Sequence, residues 1–131
     1  MSRSGYCEDL DTWSFVRWRG AVNAATKGKR GQAFFKELLD ALDAMPEKRL
    51  IANELEAGGE FCTIGVLGQK RGIDMTGIDP DDPERVSAAF DIACALAQEV
   101  VFMNDEYCYH EETPEQRWTR MRNWVAKQIA H

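Results

Sequence analysis

Cysteine is the first residue type in this chain that could do covalent chemistry. Cys62 sits in GGEFCTIGVLG (58–68), just after a Gly-Gly pair and three residues before Gly65. A thiolate at a helix N-terminus is stabilised by the helix dipole and becomes a nucleophile when a histidine stands beside it. The chain holds only His110 and His131, and His131 is its last residue. Phe61 and Ile64 place apolar surface around Cys62, and burial raises a thiol pKa and makes it inert. Cys62 is therefore expected to be a packing residue, with Gly65 and Gly68 admitting a neighbouring helix. On that account Gly65→Leu overpacks the core, and Cys62→Ser is worse than Cys62→Ala because it buries a hydroxyl.

Metal chemistry is the second possibility. Cys108 and His110 are flanked by Glu106, Glu111 and Glu112, and Cys7 could join them as a further thiolate ligand. Structural zinc sites normally pair this with a second short-spaced Cys or His motif, and none is present, so no metal and no cofactor is expected. Asp79, Asp81, Asp82 and Glu84 superficially suggest Ca²⁺. Two prolines and the missing central glycine break that loop pattern, and helix capping accounts for these acids.

Asn104-Asp105-Glu106 would be an acid-base pair only with a second catalytic group, which the spacing does not supply. Its expected role is structural: Asn104 taking a left-handed helix-closing position, and the pair bonding the backbone of the Cys62 segment. Arg17, Arg19, Lys27, Lys29 and Arg30, interleaved with Trp13 and Trp18, form a candidate nucleic-acid surface. Against it, Asp and Glu number 22 and Lys and Arg 16, for a net charge of −6. That balance disfavours a general phosphate-binding surface. Arg117, Arg120 and Arg122 are expected to pair with the acidic loops DPDDPE (79–84) and NDEYCYHEE (104–112). No catalytic residue is assigned.

These groups need elements to position them. At 131 residues, with 44% hydrophobic and 29% charged residues, the chain has the balance of one globular domain. No apolar run is long enough to span a bilayer and no leader pattern opens the chain, so a cytoplasmic protein with thiols rather than disulfides is expected. Residues 1–10 lack periodicity and are expected to be poorly ordered. A helix capped by Asp11 or Thr12 carries Trp13, Val16 and Gly20 beside Phe15, Trp18 and Val22, and TKGKRG (26–31) ends it. A second helix places Phe34 or Phe35, Leu38, Leu42 and Met45 on one stripe and stops at Pro46. A hairpin around EAGGE leads into a helix from about Cys62 to Arg71. Asp82-Pro83-Glu84 and Thr113-Pro114-Glu115 are start signals of cap, proline and acid. The first opens a helix running to about Asn104 with a bend near Asp91, and the second opens the last helix, with Trp118, Met121, Val125 and Ile129 inward. The fold class is mainly α: a compact single-domain bundle (1–131) of about five helices with at most one short β-hairpin around residues 50–62.

In this order, WSFVRWRGAVNAA (13–25), GKRGQAF (28–34), LDALDAMPEKRLIANELE (39–56), CTIGVLG (62–68), GIDPDDPE (77–84), VVFMNDE (100–106) and TPEQRW (113–118) span nearly the whole chain. The sequence resembles a family of small bacteriophage and prophage proteins in which these motifs recur. It is also similar, more distantly, to other bacterial helical domains with a Cys-x-x-Gly helix, an Asn-Asp pair and a Thr-Pro-Glu helix. The resemblance implies a phage or prophage setting, and that Cys62, Gly65, Asn104 and Asp105 are landmarks of the fold. With no catalytic constellation, the expected function is that of a non-enzymatic accessory protein binding a host or defence protein, its acidic surface suited to a basic groove on that partner. The alternative is a small helical nucleic-acid binder using residues 17–30.

Overall fold

The computed structural model describes residues 12–107 and 111–130. Cys7, Cys108, His110 and His131, and the opening stretch expected to be irregular, lie outside the described residues. Within them the chain is mainly helical, with six helices and one two-stranded antiparallel hairpin: α1 (Thr12–Lys27), α2 (Lys29–Asp43), β1 (Glu56–Ala57), β2 (Glu60–Phe61), α3 (Thr63–Arg71), α4 (Pro83–Phe90), α5 (Cys94–Asp105) and α6 (Pro114–Gln128).

Local chemistry sets most of the boundaries. Thr113 caps α6 by accepting from the Gln116 amide at 3.1 Å, while the Gln116 side chain accepts from the Thr113 amide at 2.9 Å. This is a capping box with Pro114 at the first helical position. Asp82 caps α4 in the same way, accepting from the Arg85 amide at 3.2 Å. The expected bend near Asp91 is a full break. Asp91 takes the left-handed conformation (φ 55°), and the axes of α4 and α5 differ by 107°. At the other end of α3, Gly72 is left-handed (φ 73°) and the Ile73 amide reaches back to the Gly68 carbonyl at 2.9 Å. That is the Schellman closure that glycine makes accessible.

The turn between α1 and α2 is tighter than TKGKRG suggests. Only Gly28 separates the helices, and Arg30 and Gly31 already belong to α2. Gly31 permits this, because a Cβ there would run into the Ala25 carbonyl at the end of α1. Gln32 then ties three elements together. Its amide nitrogen donates to the Thr26 and Gln128 carbonyls, and its oxygen accepts the Ala130 amide at 2.8 Å.

The core lies between α2, α3, α5 and α6. Phe35, Leu38 and Leu42 of α2, Leu67 of α3, Val100 of α5 and Val125 of α6 are all fully buried. The stripe expected on α2 holds at Phe34, Phe35, Leu38 and Leu42, while Met45 lies past the helix end and is half-buried; that of α6 holds at Met121 and Val125. The stripe expected on α1 does not. Of its apolar residues only Val22 is buried, whereas Trp13, Phe15 and Val16 are 69%, 50% and 54% exposed. Among the described residues no single helix is long and apolar enough to cross a membrane. The α4–α5 pair approaches that length only by adding two helices across the bend, and it buries Val86, Phe90, Leu96 and Val100 in the core.

Candidate functional site

The Cys62 segment is a platform. Cys62 is the N-cap of α3, and its Sγ accepts the Gly65 amide at 3.4 Å. Burial pushes its thiol up to about 12, outweighing the stabilising Gly65 amide, and the nearby Asp105 charge pushes the same way. At neutral pH the group is a neutral thiol that packs and caps. Gly65 and Gly68 do sit where added atoms would collide, but only Gly68 does so against a helix, as the sequence suggests, and there against a side chain rather than the helix backbone. A Cβ on Gly65 would overlap the Leu55 carbonyl, and one on Gly68 would meet the Met75 sulfur and the Phe90 ring. The neighbours that required glycine are therefore an irregular segment before the hairpin at Gly65, and at Gly68 both an irregular segment after α3 and the Phe90 ring at the end of α4.

Asn104 and Asp105 secure the first of these segments. The Asn104 side-chain oxygen accepts both the Thr63 amide at 3.0 Å and the Thr63 hydroxyl at 2.7 Å. Its nitrogen donates to the Ile51 carbonyl at 2.9 Å. Asp105 accepts the Asn53 amide at 3.1 Å, which holds Asn53 in the left-handed region at φ 75°. The bond to the Cys62 segment is present as expected. The left-handed closing position expected for Asn104 is not: Asn104 is helical and buried within α5. Arg117 and Arg120 of α6 close that helix instead, donating to the Asn104 carbonyl at 3.1 and 3.3 Å, with Arg120 also reaching the Met103 carbonyl at 2.6 Å. Cationic donors on the terminal carbonyls complement the negative end of the α5 dipole.

What these contacts position is an open groove of about 490 Å³ between Asn53–Glu56 and Met75–Pro80. Leu55, Met75 and Ile78 supply its apolar surface and Glu54, Glu56 and Asp79 its charge; among the described residues no lysine or arginine lines it. The Glu54 and Glu56 carboxylates are not engaged in an ion pair among the described residues, so they are available to an incoming ammonium or guanidinium. The Thr76 amide folds back onto Asp74 at 3.0 Å. That bond holds the Asp74 carboxyl below its ordinary value and fixes the turn into Gly77. Sequence reasoning missed the groove, and of the residues behind its walls it singled out Cys62, Gly65, Gly68, Asn104 and Asp105 but not Thr63. The available signal was LIANELEAGG itself, a polar-flanked apolar residue without helical continuation.

The basic candidates are divided by the fold. Arg19 is paired with the buried carboxylate of Glu99 at 2.9 Å, and Arg30 meets Asp91 at 3.4 Å. Lys27, Lys29 and Arg30 gather at the α1–α2 corner, while Arg17 stands ten residues up α1 from Lys27 on the outer face. Of the α6 arginines, Arg120 and Arg117 bind Glu112 at 2.7 and 3.4 Å, and Arg122 binds Asp43, which is on a helix rather than an acidic loop. Among the described residues no group of three or more His, Cys, Asp or Glu is placed to hold a metal ion. Compared with known proteins, the chain matches no protein-family model, no curated protein and no solved structure.

Proposed function

We propose that this protein is a non-enzymatic binding module, a phage or prophage accessory protein of the kind its sequence resembles, which seats a basic segment of a host or defence protein in the Asn53–Glu56/Met75–Pro80 groove. The observation that carries this reading is the groove's composition: two carboxylates without an ion pair among the described residues, and Asp79, around Leu55, Met75 and Ile78. An apolar floor with a rim of one charge sign selects an extended segment bearing alternating apolar and Lys or Arg side chains. Its walls are pre-set by contacts to α3 and α5, so little ordering is required on binding. The inert environment of Cys62 favours packing over nucleophilic catalysis there.

The test is capture from host lysate with the wild-type protein and with a Glu54→Lys, Glu56→Lys double variant. Both positions are exposed, so the variant is expected to fold. A partner retained by wild type and lost by the charge-reversed groove supports the reading; retention by both moves the interface elsewhere. Retardation of DNA or RNA that disappears on Lys27, Lys29 and Arg30→Ala would replace this reading with nucleic-acid binding.

A further inference from the structure

A helix on the surface of a domain ordinarily turns a polar face to water. The outer face of α1 instead carries an apolar and small stripe between Arg17 and Lys27. Trp13, Val16, Gly20 and Ala24 follow one another at spacings of three, four and four residues, and all are exposed. Trp13 and Val16 remain 69% and 54% accessible, and a Cβ on Gly20 would meet nothing within 4 Å. Opposite them, Val22 is buried and Arg19 binds Glu99 of α5. The helix is thus held to the fold through Val22 and Arg19 while its opposite stripe leaves Trp13 and Val16 exposed, an apolar face of the kind that is ordinarily covered.

We infer that the cover is a second copy of this chain, with the two α1 helices packed antiparallel across a two-fold axis near Gly20. The spacing is self-complementary. Trp13 and Lys27 lie seven residues to either side of Gly20, so the axis brings the Trp13 ring of each copy against Lys27 of the other, a cation–π pairing. By the same symmetry Val16 meets Ala24, and Gly20 meets Gly20 and lets the backbones approach. The two Arg17 side chains lie on one edge of the seam, where they reach into solvent, and α1 contains no acidic residue. An isologous contact of this kind closes at two copies. Two 16-residue helices about 24 Å long side by side cover on the order of 1,000 Å² in total, the lower edge of specific interfaces. The dimer is therefore weak and concentration-dependent.

Sedimentation velocity on the full chain under reducing conditions, from low micromolar to near-millimolar concentration, tests this. The mass is expected to rise from 14.9 kDa toward twice that value and no further. Val16→Glu, at an exposed position, is expected to hold the chain at the monomer mass throughout with unchanged circular dichroism, and Gly20→Arg to do the same by blocking backbone approach. A wild-type chain that stays monomeric at every concentration overturns the inference and leaves the face to residues 1–11 or to another protein. Assembly beyond two copies, or a dimer that survives both variants, overturns it as well. Glu54→Lys, Glu56→Lys is expected to leave the mass curve unchanged, which keeps this result independent of the groove.

Discussion

Thr63 and Asn104 are 41 residues apart in sequence and share one buried oxygen: the Asn104 Oδ1 accepts the Thr63 hydroxyl at 2.7 Å and the Thr63 amide at 3.0 Å. The first turn of α3 is thereby fastened to the last turn of α5. Because the same side chain donates to the Ile51 carbonyl, one amide group sets the relative position of α3, α5 and the groove wall.

Asn104→Leu should accordingly be severe. It leaves the Thr63 amide, the Thr63 hydroxyl and the Ile51 carbonyl without that partner, each worth about 1–3 kcal/mol when buried and unsatisfied. A loss of roughly 3 kcal/mol or more is expected, a fall in Tm of roughly 10 °C. Thr63→Val removes only the hydroxyl bond and should cost about 1 kcal/mol. Urea melts of the two variants measure the ordering, and equal losses would show that Asn104 is not the joint.

Gly65→Ala and Gly68→Ala should separate in the same assay. At Gly65 the obstacle is the Leu55 backbone, which cannot move without dragging the hairpin. At Gly68 it is the end of the flexible Met75 side chain and the Phe90 ring. Overpacking of about 1–3 kcal/mol or more is expected at Gly65, and a smaller loss at Gly68. The Gly65 variant should also lose partner capture, because Leu55 lines the groove.

Cys62 reverses an expectation. The sequence ranks serine below alanine at this site, on the ground that a hydroxyl is buried there. The structure makes the residue an N-cap whose acceptor serves the Gly65 amide. Serine can take over that bond with a better acceptor, whereas alanine abandons it at about 1 kcal/mol. Cys62→Ser should therefore melt above Cys62→Ala. In the wild type, alkylation at neutral pH should label the exposed Cys94 and spare Cys62, which is buried and pushed up to about 12.

Acid should weaken the fold through Glu112. The Arg120 side chain bonded to it, aided by the Arg120 and Arg117 charges, holds its carboxyl below the ordinary 4.5 despite partial burial. A depressed folded pKa contributes stability that is complete above the unfolded value and is lost as pH falls through the folded one. Glu37 behaves alike through Arg71. Melting temperature should thus decline below about pH 4.5, and Glu112→Gln should lower it at pH 7 while flattening that decline. A decline unchanged in slope would remove Glu112 from the acid response.

The sequence by itself determined the elements whose signals are local. Pro83 and Pro114 behind Asp82 and Thr113, Gly72 after Arg71, and Gly58-Gly59 at φ 59° and 82° act within a turn or two, so helix starts, stops and the hairpin are legible from residue type. It also marked Cys62, Gly65, Gly68, Asn104 and Asp105 as structural, because small or polar residues amid apolar runs must answer to something nearby. What they answer to was decided only in the tertiary structure. Gly65 faces Leu55 and Gly68 faces Met75 because irregular segments, which have no period to read, fold back over α3. The exposure of Trp13 and Val16 was likewise invisible: a helical stripe of apolar residues shows that a face needs covering, and only the packing of α1 on α5 and α2 shows which side stays open.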